Sequence, residues 1–124
     1  MKEETGKWVG LAEDNLKAAD ALLMSGFHRL CIFQCQQAIE LLLKAIWVER
    51  STEGYPPRQH NLVTLAQTAD VDLDEGHQQF LDDLSRQYIP SRYADAAVEY
   101  SRERAEYFHS STREVFAWLR QQLN

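Results

Sequence analysis

Residues 27–48 read FHRLCIFQCQQAIELLLKAIWV, and this run decides the fold. Its apolar members Phe27, Leu30, Cys31, Ile32, Phe33, Ala38, Ile39, Leu41, Leu42, Leu43, Ala45, Ile46 and Trp47 wrap most of the circumference of a helix and show no two-residue alternation. A helix apolar on so many sides is buried among other helices. At a rise of about 1.5 Å per residue it is roughly 33 Å long, the depth of a small bundle. Glu40 interrupts it, and a lone charge there is costly. Lys44, four residues on, stands in the favourable order for a helix ion pair. Pairing with Lys44 or an arginine is one reading of Glu40, and a place in a cleft is the other. His28, Cys31 and Cys35 share a face and offer three soft ligands, but no fourth is evident. Cysteines in an apolar helix are usually small core residues, so neither a metal nor any other cofactor is expected. Lying four apart on one helix, they also cannot staple distant segments.

Working outward, residues 5–24 form an amphipathic helix. Trp8, Leu11, Ala12, Ala18, Ala19, Leu22 and Leu23 recur at helical spacing, with Glu13, Asp14 and Lys17 opposite, and Ser25-Gly26 supplies a stop. Downstream, residues 49–59 contain Gly54, Pro56 and Pro57 and read as a loop, followed by a short helix over 62–69. His60 is placed to satisfy that helix's free amides or to pack beneath the loop. Asp72 or Asp74 caps a further stretch, striped by Leu73, His77, Phe80, Leu81, Leu84 and Tyr88. Pro90 is expected to end it. A last long helix over 95–122 carries Ala97, Ala105, Phe108, Thr112, Val115, Phe116 and Leu119 toward the core, with Tyr100, Tyr107 and Trp118 on a second flank. Strand patterns are absent. The expectation is an all-α, antiparallel up-and-down four-helix bundle with an extra short helix, one domain over residues 1–124.

The composition, 44% hydrophobic and 26% charged, is that of a chain that folds on its own. A formal net charge of −6 excludes a protein that coats nucleic acid by bulk positive charge, so any RNA contact is local. No run approaches about 18 uninterrupted apolar residues, and Met1-Lys2-Glu3-Glu4 lacks the pattern of a secretion signal. A cytoplasmic protein with no membrane contact is expected. The central helix and the second aromatic flank together present more apolar surface than one small chain hides easily. A homodimer closed by two-fold symmetry is therefore expected, against a monomer with a well-covered core.

Several runs resemble the HEPN domain family across nearly the whole chain. They are Trp8 with residues 12–16 (AEDNL), Ala21-Leu22-Leu23, Gly26-Phe27, residues 33–40 (FQCQQAIE) with Leu43-Lys44-Ala45, Pro57, His60-Asn61-Leu62, and residues 88–93 (YIPSRY). The resemblance implies a dimeric helical bundle, often encoded beside a minimal nucleotidyltransferase as a toxin–antitoxin pair. In many members it implies a metal-independent ribonuclease, with an Arg, four to six residues and a His at the cleft between subunits. Counting on from Arg92, the positions that should hold that His are Ala97, Val98 and Glu99. The spacing recurs later, from Arg104 or Arg102 to His109, although nine arginines and four histidines make such a match common by chance. On a helix Arg102 and His109 share a flank, whereas Arg104 and His109 lie about 140° apart.

Tyr88, Ser91, Arg92 and Tyr93 cluster beside Pro90. An arginine offers a planar fork for phosphate and tyrosine rings can stack a base, so these four are the candidate nucleotide- or RNA-binding residues. The plainer alternative makes Tyr88 a core residue, pairs Arg92 with a carboxylate such as Asp95, and packs Tyr93 at an interface. Three functions remain: a nucleotide- or RNA-binding homodimer partnered by a nucleotidyltransferase; a metal-independent ribonuclease using His109 with Arg102 or Arg104; and a purely structural dimerisation module. A Gly-rich phosphate loop, paired catalytic carboxylates and a Ser-His-Asp arrangement are absent.

Overall fold

Free backbone groups at several helix ends are satisfied by a capping side chain or by a glycine turn. The computed structural model describes residues 1–93 and 99–123. Its helices are α1 (Glu3–Met24), α2 (His28–Arg50), α3 (Leu62–Thr68), α4 (Glu75–Ser85), α5 (Tyr88–Tyr93) and α6 (Arg102–Arg120), followed by a single 3-10 turn, Gln121–Leu123. Gly26, at φ +80°, reverses the chain between α1 and α2. There Phe27 N–H donates to Leu22 O and Gly26 N–H to Leu23 O, the paired bonds that close a helix on a left-handed glycine. Asn61 accepts from Thr64 N–H at the start of α3, Asp74 from His77 N–H at α4, and Ser101 from Arg104 N–H at α6.

The core sits around α2. Cys31, Ile32, Cys35, Ala38, Ile39, Leu42, Leu43, Ala45 and Ile46 are all fully buried, and both cysteines are free thiols. α1 lies along one side of α2 and α6 along another, while α3, α4 and α5 cover the remaining side as three short pieces. By length and composition α2 alone among the described helices could cross a membrane, but most of it is buried inside the bundle.

The expected helix boundaries around Pro90 and at the last helix change. The helix entering the Pro90 region ends at Ser85, and a turn at Arg86-Gln87 separates it from α5. Pro90 does not end a helix; it is the third residue of α5, where an amide has no acceptor within the helix and its absence costs nothing. The expected all-helical bundle is thus built from three long helices, α1, α2 and α6, with the shorter α3, α4 and α5 along its remaining side. The last helix begins at Arg102 under its Ser101 cap, so Tyr100 precedes it; Asp95, Ala97 and Val98 lie outside the described residues.

Polar links tie the helix ends and flanks together. Arg50, at the end of α2, donates to Ala69 O and Asp70 O at the end of α3, and to Gln122 beyond α6. On the α1–α6 seam, Asp20 takes His109 Nε2 at 2.5 Å and Arg113 at 2.8 Å. Partial burial pushes the Asp20 carboxyl up, but the hydrogen bonds and charges of His109 and Arg113 outweigh this and hold it below its ordinary range.

Two outcomes test this arrangement. Ile39→Ala, made in the middle of the packed face, is expected to cost about 2–5 kcal/mol in urea denaturation, since a buried cavity adds to the lost transfer energy. Because the folded pKa of Asp20 lies below its unfolded value, its contribution is complete above about pH 5 and drains away as pH falls through the folded pKa. Asp20→Asn is therefore expected to be less stable than the parent chain at pH 7, with the gap narrowing on acidification.

Candidate functional site

The site is assembled from the one acidic residue buried in α2. Gln36, Glu40 and Lys44 succeed one another at four-residue intervals, so they line one stripe of the helix. The Glu40 side chain is only 5% exposed. Its carboxylate accepts from Lys44 Nζ at 3.1 Å, Gln36 Nε2 at 3.2 Å and His60 Nδ1 at 2.8 Å. Of the two readings of Glu40, the pairing with Lys44 is present, and His60 joins it from the following loop. Three donors compensate a charge that would be prohibitive alone.

His60 arrives on the loop after α2. Trp8 of α1 packs edge-on against Tyr55 of that loop, with ring centroids 6.0 Å apart, and the adjacent Pro56 is buried. The short helix α3 is capped by Asn61, so of the two roles expected for His60 the capping one falls to its neighbour, and His60 turns to Glu40. The carboxylate only accepts, so the proton of the neutral imidazole resides on Nδ1 and Nε2 is the acceptor. Gln36 Nε2 also donates to the His60 carbonyl at 3.2 Å, fixing the backbone beneath the ring.

Across the imidazole lies Tyr88, the first residue of α5. The rings stack with centroids 4.3 Å apart and planes 14° from parallel, and the phenol oxygen is 3.3 Å from Nε2. Arg92, one turn later, donates to the Tyr88 phenol oxygen. Its guanidinium lies 5.6 Å from the Tyr88 ring centre and 5.5 Å from that of Tyr93. Tyr93 is 63% exposed, whereas Tyr88 is buried. A cleft of about 180 Å³ opens beside them, lined by His60, Asn61, Ser85, Arg86, Tyr88 and Ile89 among others.

Of the four candidate binding residues, Tyr88, Arg92 and Tyr93 come together. Ser91 faces inward: it is fully buried, its hydroxyl donates to Gln87 O, and its carbonyl accepts from Arg29 at 2.6 Å. Ser91 thus fastens α5 to α2. The residues that sequence reasoning left out of the site are Glu40 and His60. The available signal was a charge too costly to bury with Lys44 as its only partner, and a histidine adjacent to the α3 cap.

The three residues considered for catalysis are each bonded to partners other than His60, Tyr88 and Arg92. His109 is bound to Asp20, with 15% of its side chain exposed. Arg102 pairs with Glu106 at 2.7 Å on the surface of α6. Arg104 reaches back to Glu99 O at 3.0 Å and Gln87 Oε1 at 2.9 Å, over the Tyr100 ring. Among the described residues no group of three or more His, Cys, Asp or Glu side chains is arranged to hold a metal ion.

The comparisons agree with this architecture. The family model described as HEPN domain matches residues 5–122. The crystal structure of TT1696 from Thermus thermophilus is similar at 26% identity, covering 98% of this chain and 99% of that one, with a TM-score of 0.85. That of ST0689, described as an archaeal HEPN homologue, is similar at 25% identity over the whole of both chains, with a TM-score of 0.79. No curated protein matches the sequence significantly. A family match spanning nearly every residue and two full-length structural likenesses lead to one conclusion: the chain belongs to the HEPN domain family.

Proposed function

We propose that this HEPN protein is a cytoplasmic homodimer that binds a nucleotide or a short stretch of RNA at the α5 cluster, with a minimal nucleotidyltransferase as its protein partner. The observation that carries the reading is the Arg92 guanidinium flanked by two tyrosine rings, one buried and one exposed. Such a guanidinium is preorganised to fork a phosphate, while the exposed Tyr93 ring offers a face to a base. The acidic chain makes binding rely on this local geometry. Dimerisation is supported by exposed Ile89 and Tyr93 on α5, and by Met24, Phe27 and Tyr107 near the α1–α2 turn and on α6. The nucleotidyltransferase partner rests on family membership.

Arg92→Ala is expected to weaken binding of a short single-stranded RNA by about 1.5–3 kcal/mol, on the order of tenfold to a hundredfold in Kd, with helical content unchanged. Fluorescence anisotropy reads this directly, and an unaltered Kd would remove α5 from the site. With one or two phosphates engaged, log Kd should rise with log salt at a slope of roughly 0.7 to 1.4. Light scattering should report twice the 14.4 kDa chain mass; a particle of single mass at working concentration would exclude the dimer.

A further inference from the structure

A chain of hydrogen bonds runs from the interior of α2 to the exposed guanidinium of Arg92. Glu40, whose side chain is 5% exposed, takes the Nδ1 hydrogen of His60 at 2.8 Å. His60 Nε2 meets the Tyr88 hydroxyl at 3.3 Å, and Arg92 donates to the same phenol oxygen. While the imidazole is neutral, Nε2 accepts, so the phenol proton is directed at it and an oxygen lone pair is left for Arg92. A hydroxyl that donates is polarised into a better acceptor, so each link strengthens the next.

Among the described residues the charges that face His60 come mostly in pairs. On α2, Lys44 holds Glu40 at 3.1 Å. Across the cleft, Asp82 of α4 holds Arg86 at 3.0 Å. α3 carries no ionisable side chain, and α5 presents the Tyr88 hydroxyl and Arg92. On its own loop, Arg58 is exposed two residues back. A proton gained at Nε2 therefore adds positive charge next to the guanidinium, and it reverses the link to Tyr88. The imidazolium donates through both nitrogens. The phenol oxygen then receives two cationic donors, and its own proton turns away from His60 to meet an anion held on Arg92. Proton and anion favour each other, and linkage makes the two effects equal in size.

We propose that Glu40 and His60 are positioning residues of the phosphate site on α5: through Tyr88 they set the Arg92 guanidinium, and protonation of His60 tightens that site on an RNA phosphodiester. The inference rests on the binding reading above and adds its regulation. No bond in the RNA is made or broken in this role.

The test uses the whole chain and a fluorescent 2′-O-methyl single strand with hydroxyl ends, whose diesters keep one charge each across the histidine range. Anisotropy is read at fixed salt at about pH 5.5 and about pH 8. The parent chain is expected to bind about threefold to tenfold more tightly at the acidic end. His60→Gln keeps a donor for Glu40 but gains no charge. At the alkaline end it should bind within about twofold of the parent, and on acidification it should show only the small gain owed to His28, His77 and His109. His60→Ala breaks the chain and should bind about threefold to tenfold more weakly at both ends. Tyr88→Phe keeps the ring, removes the link and should lose the acid gain as well. Circular dichroism checks that each variant keeps its helices, and His60→Gln with Tyr88→Phe carry the test should His60→Ala unfold. A parent chain that binds equally at both ends, or an acid gain undiminished in His60→Gln or Tyr88→Phe, overturns the proposal and leaves the binding reading standing. So does His60→Ala that folds and binds like the parent. A parent chain that binds the probe at neither end overturns both.

Discussion

Burial of the Glu40 carboxylate in the central helix is the constraint around which the rest of the molecule is arranged. An anion almost out of reach of water requires close donors on every open side. Lys44 and Gln36 come from the same helix at four-residue intervals, which local geometry supplies without tertiary help. The third donor, His60, comes from a loop twenty residues on. Its arrival obliges the chain after α2 to fold back, and the same loop delivers Asn61 to cap α3. The demand of one carboxylate thereby sets where α3 starts, and Tyr88 completes the other face of the imidazole it has captured.

The fold was legible in proportion to how local its causes are. Saturation of residues 27–48 with apolar side chains identifies a buried helix, and Gly26 and Asp74 act at the helix ends as their chemistry suggests. The misreading of Pro90 has an equally local origin. A proline breaks a helix from the interior but not from the first turn, and which case applies depends on a start only one residue past the Arg86-Gln87 turn. No pattern in the sequence marks that turn. The candidate site divides in the same way. Tyr88, Arg92 and Tyr93 lie within one helical turn or so of each other and are legible as a group, whereas Glu40 and His60 join them through contacts across twenty and twenty-eight residues. Ser91, chosen by adjacency alone, faces the other way because neighbours on a helix point about 100° apart.

His60 and His109 each reach a carboxylate on another element, and the two differ in what surrounds them. His109 offers Nε2 to Asp20, and Asp20 is shared with Arg113, so the trio closes as a seam between α1 and α6 with 15% of the imidazole side chain exposed. His60 offers Nδ1 to its carboxylate and meets the Tyr88 hydroxyl at Nε2, on a side chain 52% exposed. Their cationic neighbours differ as well. The arginine beside His109 is spent on the same aspartate, whereas Arg92 is bound, among the described residues, to the Tyr88 phenol and flanked by rings. A spacing between Arg and His along one helix is therefore a weaker guide here than what each nitrogen is already bonded to. In a chain with net charge −6, a guanidinium that meets no carboxylate among the described residues is a local exception, and the proposed binding of a phosphate would use it.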